Sequence, residues 1–341
     1  MRAVGYQCSA GLDDPRYLED LELPDPQPGP HDLLVAVEAV AVNPVDLKVR
    51  GREQPAPGQW RQLGWDAAGT VVDCGAAVSG FRPGDRVWYA GALQRPGCDA
   101  QLHAVDCRLA SRAPASLSSA QAAAMPLTAI TAWELLFDRL AVPQDPTAAV
   151  GEVLLVSGAA GGVGSLLLQL GRRFTGLTLV GTASRPESRD WALRCGAHHV
   201  IDHRQPLRPQ LQALGIPAVQ HVASLTHTGE NYAALVDLLA PQGRFSLIDD
   251  PDPAAVSVLA LKRKSLSLHW ELMFTRSLYD TPDMARQGAL LAQVAELVDR
   301  GELFSTLQQE AGPICAARLT DAHRRQATGR CVGKQVLVGW S

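Results

Sequence analysis

The sequence predicts an α/β protein of two domains: a doubly wound parallel sheet with helices on both faces, and beside it a β-rich domain. Three observations predict it. The chain has 341 residues, long for one hydrophobic core and suited to two. Its first third carries short apolar runs punctuated by Pro and Gly, as a β-rich domain does. From Pro126 onward strands and helices alternate, which is the pattern of a parallel sheet covered by helices.

In the first third, Leu33 to Val42 is a long apolar run interrupted by Glu38, and Ala68 to Cys74 and Arg86 to Ala90 are two more, with turns such as LPDPQPGP and FRPGD nearby. TAITAWELLFDRL then carries apolar residues at helical spacing. Glu152 to Ser157 reads as a buried strand, followed by a glycine-rich turn, the helix SLLLQLGRRF, the strand LTLVGTA, a helix around Arg189 to Arg194 and a strand at HHVID. Ala218 to Ala223 and Arg244 to Ile248 extend the sheet, with the helix Asn231 to Leu239 between them and the PQG turn at Pro241 to Gly243 ending that helix. The last strand, Lys334 to Gly339, is expected to return to the first domain.

Composition narrows the function. A net charge of -4 and a pI near 6.1 give no basic face for nucleic acid or an anionic membrane, and the Lys262-Arg263-Lys264 cluster is too short to change that. The start lacks the apolar core of a signal peptide and there is no long apolar span, so a cytoplasmic protein is expected. Seven cysteines without a CxxC pair suggest neither a disulfide framework nor a zinc ribbon, and mostly buried thiols are expected.

The chemistry concentrates in VLLVSGAAGGVGSLLLQL. A hydrophobic strand runs into Ala159-Ala160-Gly161-Gly162-Val163-Gly164 and straight into a helix, the order of a dinucleotide-binding turn with alanine in the first glycine position. Gly161 lets backbone approach a pyrophosphate, Gly164 lets helix and strand pack closely, and the free N–H groups of the helix start face the anion. The next strand should end at the adenosine ribose, where an acidic residue suits NAD and a basic one suits the 2′-phosphate of NADP. Ser184 and Arg185 fall there, so NADP(H) is the expected cofactor. Ser184 and Glu187 also read as an S-x-x-E capping box around Pro186, which would leave Arg185 free.

Taken in order, AVNPVDLKVRG, GWDAAGTVVDCG, FRPGDRV, AAMPLTAITAWE, AAGGVG and GRCVGKQVLV resemble the medium-chain dehydrogenase/reductase superfamily, over nearly the whole chain. SRPES and KSLSLHWELMFTRS are similar to its quinone-oxidoreductase branch, in particular to the subgroup labelled zinc-type alcohol dehydrogenase-like. The resemblance implies a GroES-like catalytic domain split over residues 1–125 and 269–341, a Rossmann NADP-binding domain over 126–268, and a homodimer. It also implies Asn43 and Thr131 at the nicotinamide, with Pro44 and Asp46 shaping the same loop, although a turn carboxylate bonded to backbone is the plainer role for Asp46. Trp65, Asp66, His269, Trp270 and Tyr279 are candidate cleft residues, His269 and Tyr279 being able to donate a proton. His203 is a candidate partner of Arg185 at the 2′-phosphate, and Lys334 either reaches a phosphate or is exposed.

Zinc-bearing relatives place a cysteine near the position of Asn43 and a His-Glu pair at Trp65-Asp66; here neither thiolate nor imidazole stands there. The stretch that corresponds to their structural-zinc lobe contains only Cys98 and His103. His198, His199, His203 and His221 read as surface or core histidines. No metal ligands are therefore expected. Hydride donation to a conjugated, electron-poor acceptor needs no Lewis acid, so the expected reaction is NADPH-dependent reduction of a quinone or α,β-unsaturated carbonyl, a small-molecule electron acceptor. Two alternatives stay open: a zinc alcohol dehydrogenase with unrecognised ligands, and an NADPH-binding protein with little catalysis.

Overall fold

The structure, a computed structural model, describes residues 1–340 and divides into two compact units. One unit is Met1–Ile130 with the stretch from Phe274 onward, and the other is Thr131–Met273.

The first unit opens with β1 (Arg2–Tyr6), β2 (Glu19–Glu22), β3 (Asp32–Ala41), α1 (Pro44–Arg52), β4 (Arg61–Gln62), β5 (Ala67–Cys74), β6 (Arg86–Tyr89), β7 (Leu102–Asp106), β8 (Ala110–Arg112) and α2 (Ser119–Ala123), and α3 runs over Pro126–Trp133. In β3 the residues Val35, Val37 and Ala39 are buried while Ala36 is half-exposed, the alternation of a strand with one face on a core. Pro44 starts α1 with a fixed φ and no N–H to waste. The Asn43 N–H donates to Asp46 Oδ2 at 2.6 Å, closing the first turn.

The second unit contains β9 (Val153–Ser157), α4 (Gly162–Phe174), β10 (Thr178–Thr182), α5 (Pro186–Arg194), β11 (His199–Ile201), α6 (Leu207–Ala213), β12 (Val219–Ser224), α7 (Thr228–Leu238), β13 (Leu239–Leu247), α8 (Leu259–Lys262) and β14 (Ser267–Trp270). Its six strands lie in the order β11-β10-β9-β12-β13-β14, all parallel. This is a doubly wound sheet whose order reverses between β9 and β12, the switch point outside which such sheets bind ligands. Leu154, Leu155 and Val156 of β9 are wholly buried, as a central parallel strand requires.

Two elements differ from what the sequence predicts. The TAITAWELLFDRL helix is not uniform: after α3 the chain widens into a π-helical segment, Glu134–Arg139, with Leu140 N–H bonding Leu135 O at 2.9 Å. The PQG turn does not end α7, because Lys264 Nζ caps the helix earlier by donating to Asp237 O and Leu239 O, each at 2.7 Å. The turn lies instead within β13.

The first unit closes with α9 (Thr275–Leu278), α10 (Arg286–Asp299), β15 (Leu307–Glu310), α11 (Ala316–Ala327) and β16 (Lys334–Val338). β16 pairs antiparallel with β3, so the last strand does return to the first sheet, in the order β15-β16-β3-β5-β6-β8, with β7 also on β3. The separate sheet β2-β1-β4 completes the β-rich unit. All seven cysteines are free thiols; only Cys98 and Cys195 are buried, so burial is less general than expected. No helix among the described residues is long and apolar enough to cross a membrane.

Candidate functional site

The phosphate-binding turn forms between β9 and α4. Gly161 caps α4 in an extended conformation, φ -75° and ψ 177°. The intrahelical hydrogen bonds begin with Ser165 N–H on Gly161 O at 2.9 Å, and helix geometry leaves the N–H groups of Gly162, Val163 and Gly164 without acceptors in the helix. Two glycines there serve different ends. A Cβ on Gly164 would lie 2.5 Å from Gly158 O and 2.6 Å from Ala159 O, so α4 packs directly on the turn only because that side chain is absent. A Cβ on Gly161 would meet nothing nearer than Gly158 O at 3.6 Å. No neighbouring atom of the chain requires glycine at 161, and the space it leaves is a cradle open to an anion beside a helix start. Ala159 and Ala160 are buried in the turn. The residues fit a dinucleotide pyrophosphate.

Beyond β10 the chain passes through Ala183 and Ser184 to Arg185, where a correction applies. The N-cap of α5 is Arg185, not Ser184. Ser188 closes the turn, its Oγ 3.3 Å from the donating Arg185 N–H and itself donating to Arg185 O at 2.9 Å. The box is shifted by one residue because Pro186 occupies N1, and the residue before a proline is held extended, as a cap must be. Arg185 is not left free: its Nη1 lies 3.0 Å from Glu187 Oε1. Arg204, three residues beyond the β11 strand end and unforeseen in sequence, donates from Nη2 to Ser184 O at 2.9 Å while pairing with Asp202 at 2.7 Å. Arg189 donates to Val200 O at 2.9 Å. His203 stands exposed beside Arg204. The carboxyl ends of β10 and β11 thus carry three arginines and a histidine. The signal that could have revealed Arg204 is the parallel register itself, which puts the residues after Ile201 beside those after Thr182.

In the first unit, Asn43, Asp66 and Lys334 come together in a buried cluster. Asp66 Oδ2 accepts from Lys334 Nζ at 2.9 Å and Asn43 Nδ2 at 3.1 Å, and Oδ1 accepts from Leu127 N–H at 3.0 Å. Lys334 Nζ also donates to Val42 O at 2.9 Å and Asn43 Oδ1 at 2.5 Å. The expectation that Lys334 reaches a phosphate or is exposed is therefore corrected. Its ammonium is buried, and the three oxygens around it use its three protons. Burial raises the Asp66 carboxyl above the usual carboxylate range, and the Lys334 charge opposes that rise. Asp46 takes the plainer role weighed for it, accepting from Gly64 N–H at 3.2 Å as well as from Asn43 N–H.

Trp65 is core, its indole N–H on Ala92 O at 3.2 Å and its ring edge-on to Phe274. Thr131 is buried in α3. His269 is half-buried on β14, Trp270 is exposed at its end, and Tyr279 follows α9 with 77% of its surface in solvent. His221 bonds Glu152 at 2.9 Å and His198 accepts from Leu179 N–H at 2.9 Å, both structural roles.

Comparison with known proteins agrees with this architecture. Residues 29–121 match the alcohol dehydrogenase GroES-like domain and residues 195–337 the zinc-binding dehydrogenase family. A zinc-type alcohol dehydrogenase-like protein of Staphylococcus aureus (strain MRSA252) is 34% identical over 99% of both chains. A quinone oxidoreductase of Pseudomonas aeruginosa is 30% identical over 96% of this chain and 98% of its own. A solved structure from Rhizobium etli CFN 42, named for a zinc-dependent alcohol dehydrogenase, is 50% identical with a TM-score of 0.95, covering 100% of this chain and 98% of that one. The chain belongs to the medium-chain dehydrogenase/reductase superfamily, among relatives named zinc-type alcohol dehydrogenase-like protein and quinone oxidoreductase. It is an oxidoreductase of that type.

The zinc in those names has no matching donors among the described residues of this chain. Asp66 accepts from an ammonium, an amide and a backbone N–H, Asn43 is an amide turned to the same ammonium, and Trp65 offers no ligand atom. Zinc wants thiolate, imidazole or carboxylate donors with a free lone pair directed at it. These residues do not fit it. Among the described residues no group of three or more His, Cys, Asp or Glu is placed to hold a metal.

Proposed function

We propose that the protein is an NADPH-dependent reductase of quinones or α,β-unsaturated carbonyls that uses no catalytic zinc. The observation that carries the reading is the closed Asn43–Asp66–Lys334 cluster: the residues at the positions of a metal-ligating set satisfy one another, with a lysine as the internal counter-charge. A substrate for such a site must already be electrophilic, since the chain offers no Lewis acid there to ionise an alcohol.

The geometry of the glycine turn and of the strand ends supports one assignment of the residues that would hold the cofactor. The α4 start and Gly161 suit the pyrophosphate, and Arg185, Arg204, Ser184 and His203 suit a 2′-phosphate, with Glu187 competing for Arg185. Asn43 and Thr131 are proposed to serve the nicotinamide end. NADPH supplies a hydride; the chain supplies orientation and a dry surface. His269 or Tyr279 is the proposed proton source, and the exposure of Tyr279 makes His269 the better placed to be held in one orientation. A cytoplasmic homodimer remains part of this reading.

The test is a turnover panel of quinones, enones, saturated ketones and simple alcohols with NADPH or NADH, beside a metal assay. Quinones or enones should be reduced with NADPH far faster than saturated ketones. Zinc should stay below about one tenth of an equivalent, and excess chelator should leave the rate alone. Efficient alcohol oxidation with stoichiometric zinc would overturn the proposal.

A further inference from the structure

Two helices of the second unit meet through a buried chain of hydrogen bonds that starts in the glycine turn. Ser165, four residues after Gly161, donates from Oγ to Gly161 O at 2.7 Å, and its N–H donates to the same carbonyl at 2.9 Å. On its other side Ser165 Oγ accepts the indole N–H of Trp191, from α5, at 2.7 Å. The directions follow from the atoms. A serine hydroxyl has one proton, which goes to Gly161, so toward Trp191 it accepts, and an indole nitrogen only donates. Ser165 is wholly buried and Trp191 is 5% exposed, so neither group can turn to water instead.

α5 lies close on α4 at its far end as well. Gly196, directly after the Cys195 C-cap, has φ +112°, and a Cβ on it would stand 3.2 Å from Leu168 O and 3.0 Å from Arg172 Cβ, both of α4. Apolar contact between helices tolerates a slip, because one methyl group packs nearly as well as another. A buried donor and acceptor do not, since a slip leaves both unsatisfied. The Trp191–Ser165 bond therefore specifies how α5 sits along α4. What the helices carry at their N-termini gives that register a use: α4 starts after Gly161, the open cradle, and α5 starts after Arg185.

We infer that Trp191 and Ser165 are positioning residues that set the spacing between the pyrophosphate cradle and the arginine that receives the 2′-phosphate, and thereby set the preference for NADPH over NADH. The inference rests on the cofactor reading above. In NADPH the pyrophosphate and the 2′-phosphate hang from one ribose, so their separation is fixed within narrow limits. A ligand that must satisfy both ends is sensitive to the register of the two helices, whereas NADH engages only the cradle. Both residues are buried and act through other groups: Ser165 through the Gly161 carbonyl, and Trp191 through the helix that carries Arg185.

Trp191→Phe keeps an aromatic ring and deletes the indole N–H; Ser165→Ala deletes the acceptor and serves where Trp191→Phe folds poorly. Calorimetric titration of the full protein with NADPH and with NADH reads the ratio of the two dissociation constants. Each variant should lose about three- to tenfold of the wild-type preference for NADPH, the worth of one hydrogen bond, chiefly through weaker NADPH binding. The double variant should lose no more than the worse single one, because both changes remove the same bond. A purely structural role would lower the melting temperature and weaken both cofactors alike, leaving the ratio unmoved. An unmoved ratio, or losses that multiply in the double variant, overturns the inference while the NADPH reading stands. A wild type that binds NADH as tightly as NADPH overturns both.

Discussion

Lys334 and Asp66 stand 268 residues apart in the chain and meet at 2.9 Å, with the lysine side chain 4% and the aspartate 0% exposed. A pair this deep is not a source of stability compared with apolar residues of the same shape, but breaking it leaves a charge stranded. Lys334→Met should therefore destabilise the protein by about 3–5 kcal/mol. The double variant Asp66→Asn with Lys334→Met should lose markedly less than the sum of the two single changes. Denaturant unfolding of the four proteins measures this, and simple additivity would show that the two groups do not act as a pair.

The arginine cluster predicts cofactor preference. Arg185→Ala should weaken NADPH binding by about 1.5–3 kcal/mol, roughly ten- to a hundredfold in Kd, and leave NADH nearly unchanged. The Glu187 contact adds the opposite experiment. Glu187→Gln removes the carboxylate that competes for the guanidinium and should tighten NADPH. Equal losses for both cofactors in Arg185→Ala would place the 2′-phosphate elsewhere.

Gly161→Val tests the cradle. Because a Cβ there meets only Gly158 O at 3.6 Å, the variant should keep the wild-type melting temperature within a few degrees. It should nonetheless lose cofactor binding, since the side chain fills the space open to the pyrophosphate. Calorimetric titration beside a thermal melt separates the two. A variant that still binds NADPH normally would move the phosphate site away from this turn.

Asp46 predicts a pH dependence in the first unit. Burial pushes its carboxyl up to about 7 despite the Asn43 N–H, the Lys334 charge and the Gly64 N–H that favour the ionised form. Raised above its unfolded value of about 3.9, it contributes stability fully present below about 3.9 and lost as pH rises through about 7. Asp46→Asn should flatten the melting temperature across that range relative to the wild type. An equal slope in both would assign the dependence to other groups.

Local pattern made the sheet of the second unit legible, because β9, β10 and β12 are short apolar runs and each is followed by a helix with its own periodicity. The phosphate turn was legible for the same reason: strand, glycines and helix are contiguous. What pattern could not reveal is whatever depends on a partner distant in sequence. Lys334 reads as a lysine that reaches a phosphate or lies exposed beside a strand until Asp66 is seen against it. The widening at Glu134 leaves the apolar spacing of TAITAWELLFDRL nearly unaltered, so helical periodicity does not report it. Arg185 was misread through a nearer competition: two overlapping four-residue boxes, Ser184 with Glu187 and Arg185 with Ser188, fit the same segment, and the proline decides between them.

The pairing of β16 with β3 also sets a timetable for synthesis. Ala39, Val40 and Ala41 bond Val338, Leu337 and Val336, which leave the ribosome nearly 300 residues later, so that edge of β3 stays bare while the whole second unit is made. At about 5–20 residues per second the interval is roughly 15–60 s. An apolar strand left open that long invites pairing with another nascent chain. The newborn protein should therefore depend on a holding chaperone, and a chain truncated before Lys334 should aggregate although all six strands of the parallel sheet are already present.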